Sequence, residues 1–142
     1  MKIKLLNSNY DEKTGISNVT ILTDYGNFSG TSKLHEEDRE ISSSFAGCQY
    51  AEMKAIIKYM KYRIKLINER IESLENCKKV LINKKDYNHN SSENRTIRKQ
   101  IYLLKKQKQD FKDRIISLHN RMLQNMEQRE KVITKIKNKG EN

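Results

Sequence analysis

The sequence contains no proline and no tryptophan, and glycine occupies only five of its 142 positions. Proline breaks helices and glycine weakens them, so their scarcity removes the usual interruptions to long helical segments. Only two cysteines are present, Cys48 and Cys77, and their spacing matches no metal-binding or redox motif. We therefore expect no disulfide framework, and we expect Cys77, which follows Leu74 on a predicted helix, to act as a small packing residue.

Long apolar runs are also missing from the chain. No run approaches the roughly 20 residues that a membrane-spanning helix requires, and the apolar stretch near the N terminus is too short for a signal peptide. These absences predict a cytoplasmic protein without a membrane partner.

Sequence motifs of catalysis are absent as well. The chain has none of the glycine-rich phosphate-binding, zinc-protease or hydrolase motifs. The segment His35–Asp38 comes nearest to a metal or acid–base site, but consecutive loop residues rarely converge on one ion, and we interpret it as a solvated acidic turn. We therefore predict a protein that is not an enzyme, with no catalytic residue, no cofactor and no bound metal.

Basic residues outnumber acidic ones by 29 to 18, which gives a net charge of +11. The excess lies in residues 50–142, because residues 1–49 are mildly acidic. A positive field of this kind attracts phosphate backbones and acidic protein surfaces. Alternatively, the lysines only solvate long helices, and composition does not choose between these interpretations.

An apolar repeat with alternating spacings of four and three residues runs through the C-terminal two thirds of the chain. This spacing places apolar side chains along one seam of an α-helix, as in coiled coils. The polar segment 86–92 interrupts the repeat, and a short break favours antiparallel helices. We therefore predict a mainly α protein with a long antiparallel, coiled-coil-like helical hairpin over 45–138 and a tail at 139–142. The seam consists of Met53, Ile57, Met60, Ile64, Ile67, Ile71, Leu74 and Leu81, then Ile97, Ile101, Leu104, Phe111, Ile115, Leu118, Met122, Val132 and Ile136.

Residues 1–44 have the pattern of a small N-terminal β-appendage followed by an acidic loop at 35–40. Lys2–Leu6 predicts one strand, which we expect to end at the polar residues that follow. Val19–Thr23 and Phe28–Ser32 flank a glycine-containing turn and predict a β-hairpin.

Several local signals predict how these elements begin and meet. Gly26 suits a tight turn, and Gly30 suits a close approach of two backbones. We expect Gly47–Glu52 to set the sheet against the first helical turn. Asn90 with Glu93 resembles a capping box, so the second long helix is predicted to start near Ser91.

The most suggestive basic segment of the predicted helices runs from Lys58 to Lys65. Helical spacing places its lysines and Tyr62 on one face, where cations could contact phosphates and the tyrosine could stack on a base. The alternative is a solvated face, with Tyr59 packed on the sheet. The candidate partner-binding or nucleic-acid-binding residues are Lys58, Lys61, Tyr62, Arg63, Lys65, Lys78 and Lys108.

Lys78 and Lys108 are candidates because they, with Asn125, occupy seam positions where an apolar residue is expected. Polar seam residues set register or partner number at a cost in stability, or leave a gap for a partner. A lone two-helix hairpin buries its seam on one side only, so we expect a homodimer. The second helix outlasts the first, and its overhang at 129–138 is a predicted dock for the sheet.

One family resemblance extends over most of the chain. The residues Val19–Ile21, Tyr25–Thr31, Glu37–Asp38, Gly47–Glu52 and Glu127–Val132 resemble a small family of uncharacterised phage and prophage proteins of low-GC Gram-positive bacteria. The segment His35–Glu37 departs from that pattern, which has a proline after the histidine. The resemblance implies a phage accessory role inside the host cell but carries no chemistry.

These observations together favour a non-enzymatic phage accessory protein that docks on a host protein or ribonucleoprotein. The expected effect is inhibition of a host defence, in an anti-CRISPR-like manner, or of a DNA-handling complex. One alternative is a basic protein that binds DNA or RNA directly through the lysine and tyrosine face. Another is an oligomeric structural or assembly subunit.

Overall fold

A computed structural model describes residues 2–33, 44–83 and 91–140. The side chains of 44–46 and of seven positions between 129 and 140 are outside this description. The predicted acidic loop at 35–40 and most of the predicted break at 86–92 also lie outside the described residues. The described part is mainly helical, with two long helices and a small antiparallel sheet at the N-terminal end.

The sheet has three strands, β1 (Ile3–Asp11), β2 (Ile16–Thr23) and β3 (Gly26–Lys33), in the order β1-β2-β3. Both neighbouring pairs are antiparallel, so β2 is the central strand. The β2–β3 hairpin confirms the predicted turn.

The predicted end of the first strand at Leu6 is wrong, because β1 continues to Asp11. Its polar residues Asn7 and Asn9 pair with Thr20 and Asn18 of β2, across a register shift that follows Leu5. Asparagine has a low intrinsic preference for strands, but that preference is weak and depends on context. Backbone pairing with a central strand outweighs it here.

The β2–β3 turn is closed by Thr23 and Gly26. The Thr23 hydroxyl donates a hydrogen bond to the Gly26 carbonyl oxygen at 2.8 Å and accepts one from the Tyr25 amide at 3.1 Å. Gly26 has a φ of 107°, a conformation that residues with a Cβ atom rarely adopt. The predicted role of Gly26 in a tight turn is confirmed.

Small residues let the sheet lie close to the first helix, α1 (Ser44–Ile82). A Cβ atom on Gly30 would collide with the Ala51 carbonyl oxygen and lie 2.7 Å from the Ala55 nitrogen. A Cβ atom on Gly47 would lie 2.5 Å from the Ser17 hydroxyl oxygen. The predicted close approach at Gly30 and the contact between the sheet and the Gly47–Glu52 turn are therefore confirmed.

The second helix, α2 (Ser92–Gly140), is capped by Ser91. The Ser91 hydroxyl accepts a hydrogen bond from the Asn94 amide at 3.3 Å, and its carbonyl oxygen accepts one from the Arg95 amide at 3.0 Å. The helix thus begins where the sequence predicts, but the capping residue is Ser91. A hydroxyl at this position satisfies an amide that has no intrahelical partner.

The chain forms two compact units, Met1–Tyr59 with Ile115–Asn142, and Met60–Arg114. In the second unit, Met60, Ile67 and Leu74 are buried at intervals of seven residues on α1, and Ile101 and Phe111 are buried on α2. In the first unit, the seam residues Met53 and Ile57 are buried, and Ile115, Leu118 and Met122 are half-buried. The described seam residues are therefore buried or half-buried on both helices.

Two predictions about the helices are not confirmed. Cys77 is exposed and is not the packing residue expected from its spacing, because it lies one position before the seam residue Lys78. The docking of the sheet on residues 129–138 stays a prediction, since the side chains of Val132, Ile133 and Ile136 are outside the described part. The contacts described above join the sheet to α1. The domain boundary near residue 44 also stays a prediction.

Candidate binding surface on helix α1

Tyr59 anchors α1 to the sheet. Its side chain is fully buried, and its ring centroid lies 5.4 Å from that of Phe28 on β3 and 6.4 Å from that of Tyr25 in the β2–β3 turn. Aromatic rings at these separations attract one another in tilted and edge-to-face arrangements. The packing of Tyr59 on the sheet, which was part of the solvated-face alternative, is confirmed.

Four residues next to Tyr59 along the helix remain exposed, namely Lys58, Lys61, Tyr62 and Lys65. We call these four residues the α1 basic row. Their spacings of three and four residues place them on one side of α1 over about 10 Å. The row therefore presents three exposed lysine side chains beside the partly exposed ring of Tyr62, as the sequence pattern indicates.

Arg63 does not belong to this row. Its side chain is half-buried, and its guanidinium carbon lies 5.0 Å from the ring centroid of Phe111 on α2. A guanidinium group over an aromatic face is a cation–π contact, worth about 0.5–1 kcal/mol where water is near. Arg63 thus joins the two helices, a structural role that the sequence pattern does not distinguish from partner binding.

Lys78 and Lys108 also lie apart from the α1 basic row. Both side chains are half-buried at seam positions of their helices, as is Asn125. Their long methylene stems can shield neighbouring apolar atoms while the ammonium group reaches water. The structure therefore places them where the repeat predicts, but does not join them to the exposed lysines.

A shallow groove on the second unit was not predicted from the sequence. Its lining includes Glu69, Glu72 and Cys77 with the apolar side chains of Val80 and Leu81. Val80 is 61% exposed, because it lies one position before the seam residue Leu81. An apolar residue adjacent to the seam was the one available signal for this groove.

Two structural features are absent from the described ranges. Among residues 2–33, 44–83 and 91–140, no three histidine, cysteine, aspartate or glutamate side chains come together as metal ligands. Over the same residues, neither helix contains a stretch that is both long and apolar enough to cross a bilayer.

Comparisons with protein-family models, curated proteins and solved structures gave no match for this chain. The resemblance to phage and prophage proteins therefore stays a prediction.

Proposed function

We propose that this protein is a non-enzymatic, phage-encoded binding protein that docks on a host protein or ribonucleoprotein inside the cell. We further propose that docking inhibits a host defence or DNA-handling complex. The phage origin and the host target follow from the sequence resemblance. The docking surface follows from the exposure of the α1 basic row.

The observation that carries this proposal is the exposure of the α1 basic row beside buried residues of the same helix. Ala51, Ala55 and Tyr59 are buried where α1 meets the sheet. Lys58 and Tyr62 follow Ala51 and Ala55 by seven residues, which places them on the same side of the helix, yet both are exposed. A helix offers its cations in a fixed spacing, which lowers the entropy that binding must cost.

The scaffold that we propose for this surface is an antiparallel, coiled-coil-like hairpin of α1 and α2. The seven-residue burial interval on α1 and the contact between Arg63 and Phe111 support this pairing in the second unit. In an antiparallel pair, that contact also brings Leu74 opposite Ile101. A hairpin of this kind positions side chains without forming a deep, dry pocket, which suits binding better than catalysis.

The alternative of direct DNA or RNA binding is favoured by one feature, the exposed ring of Tyr62 among three lysines. Aromatic stacking and phosphate contacts together are the usual means of holding single-stranded nucleic acid. Such binding weakens steeply as salt concentration rises, because counterions are released from the phosphates. It is also abolished when nuclease removes the nucleic acid.

The test is capture of partners from host lysate with and without nuclease, followed by mass spectrometry. We expect a stoichiometric complex that survives nuclease and is lost in the triple variant Lys58→Glu, Lys61→Glu, Lys65→Glu. The matched control is Lys79→Glu, Lys99→Glu, Lys106→Glu, which makes the same charge change at exposed positions elsewhere and should retain the complex. Capture of nucleic acid without a stoichiometric protein would instead support direct nucleic-acid binding. Equal loss in both variants would contradict a docking role for the α1 basic row.

A further inference from the structure

A second row of exposed side chains lies on α2, beside the seam but outside it. Ile116, Leu123 and Met126 are 57%, 58% and 50% exposed, and His119 between them is exposed as well. We call these four residues the α2 apolar row. The spacings of three, four and three residues place them on one side of the helix, one position beyond the half-buried seam residues.

Exposed apolar residues are ordinary when they are scattered. The α2 apolar row is different because its members repeat with the period of a coiled-coil seam over three helical turns. Rows of this kind mark contact surfaces between helices.

The arrangement of the row points to a second copy of the same chain. Consider a two-fold axis that crosses the α2 apolar row at the level of Arg121, halfway between His119 and Leu123. Rotation about it would place Ile116 opposite Met126 of the partner subunit and His119 opposite Leu123 of the partner subunit. Every member of the row then meets another member of the same row. This self-match is the requirement of an isologous interface, in which both copies use the same surface.

Charges at the two ends of the row agree with the same axis. Lys112 precedes Ile116 by one turn, Glu130 follows Met126 by one turn, and both side chains are exposed. The two-fold axis at Arg121 would place Lys112 opposite Glu130 of the partner subunit, and this pair would occur twice. A parallel pairing in register would instead set like charges against each other at both ends, which is unfavourable.

We propose that two copies of this protein associate through the α2 apolar row, with the two α2 helices antiparallel and centred on Arg121. From Lys112 to Glu130 the contact spans about 27 Å of helix. It buries three apolar side chains from each copy, so the dimer is a weak one that forms at micromolar concentration or above. The α1 basic row takes no part in it.

The first test is sedimentation equilibrium of the full chain over concentrations up to about 100 μM, the range appropriate to a small interface. The intact protein is expected to approach twice 16.8 kDa, and Leu123→Glu is expected to remain at 16.8 kDa. The matched control is Gln124→Glu, the same charge change at the next exposed position, which should still dimerise. A monomeric intact protein, or a dimer that Leu123→Glu leaves unchanged, would overturn the proposal.

The second test examines orientation through charge reversal. Lys112→Glu and Glu130→Lys should each weaken self-association about fivefold or more, because the affected exposed pair occurs twice. An equimolar mixture of the two variants should associate as tightly as the intact protein, since each Glu then meets a Lys. Failure of the mixture to regain affinity would overturn the antiparallel arrangement. The triple lysine variant of the α1 basic row should dimerise normally, so this proposal and the docking proposal fail independently.

Discussion

The phenol ring of Tyr59 meets the ring of Phe28 edge-on, with 5.4 Å between the two ring centroids. This contact links β3 to α1, and Tyr59 is fully buried in it, whereas Tyr62, three residues further along the same helix, is 37% exposed. Two tyrosines in one basic segment therefore have different roles. Tyr59 holds the sheet and Tyr62 faces solvent with the lysines.

Replacement of Tyr59 by alanine should strongly destabilise the protein. Removal of a buried aromatic ring costs about 3–5 kcal/mol through lost burial and the cavity left behind. We expect a decrease of this size in the free energy of unfolding, measured by denaturant titration. Tyr102→Ala, at a side chain that is 64% exposed, is the control and should change it by about 0.5 kcal/mol or less. Similar losses in the two variants would contradict the role of Tyr59 as the anchor of the sheet.

Replacement of Gly30 by alanine should also destabilise the protein, but for a steric reason. The new methyl group would collide with the backbone of Ala51 and Ala55, which belongs to a helix and cannot rotate away. We expect a loss of about 2–3 kcal/mol, as for other overpacked sites.

Gly26→Ala provides the comparison, since its methyl group would meet nothing within 4 Å and only its positive φ is unfavourable. That conformational cost is about 1–2 kcal/mol. Thermal unfolding of both variants compares the steric cost at Gly30 with the conformational cost at Gly26. A Gly30 variant as stable as the intact protein would contradict the close approach of β3 to α1.

Ser17 and Gly47 should show energetic coupling. The Ser17 hydroxyl is buried, has no hydrogen-bond partner among the described residues, and would crowd a Cβ atom on Gly47. Ser17→Ala removes this hydroxyl, and we expect it to be neutral or stabilising by up to about 1 kcal/mol. Gly47→Ala alone should destabilise the protein, because its methyl group would lie 2.5 Å from the Ser17 oxygen.

In the double variant the hydroxyl is gone, and the two Cβ atoms would lie 3.5 Å apart, an ordinary contact. Alanine also favours a helix over glycine by about 1 kcal/mol. The double variant should therefore be more stable than Gly47→Ala alone, with a coupling energy of about 1–2 kcal/mol in a double-mutant cycle. Additive effects of the two substitutions would contradict the direct contact.

Lys108 should limit stability where it interrupts the seam. Its side chain is half-buried between Leu104 and Phe111 in the repeat, so a leucine there would extend the apolar side of α2. We expect Lys108→Leu to raise the free energy of unfolding by about 1 kcal/mol, part of the value of a fully buried leucine. Lys106→Leu, at an exposed position of the same helix, should leave it nearly unchanged. Destabilisation by Lys108→Leu would show that the lysine makes a needed interaction.

Much of the fold was predictable because helical periodicity is a local property of the sequence. The positions of the two helices and their shielded side follow from the repeat, and Gly26 and Gly30 act as their surroundings in the sequence predict. The candidate surface was predicted less completely. Its exposed lysines and Tyr62 follow from helical spacing, but Arg63 looks the same in sequence and packs on Phe111 instead.

The sequence by itself determined the two long helices, the seam, the β2–β3 hairpin and the basic character of the helical part. Each of these depends on residues that lie close together along the chain. The tertiary structure alone decided that β1 extends through Asn7–Asp11, because pairing with β2 overrides the preference of its asparagines. It also decided that Tyr59 is buried while Tyr62 is exposed, since only docking of the sheet on α1 distinguishes two tyrosines with similar neighbours.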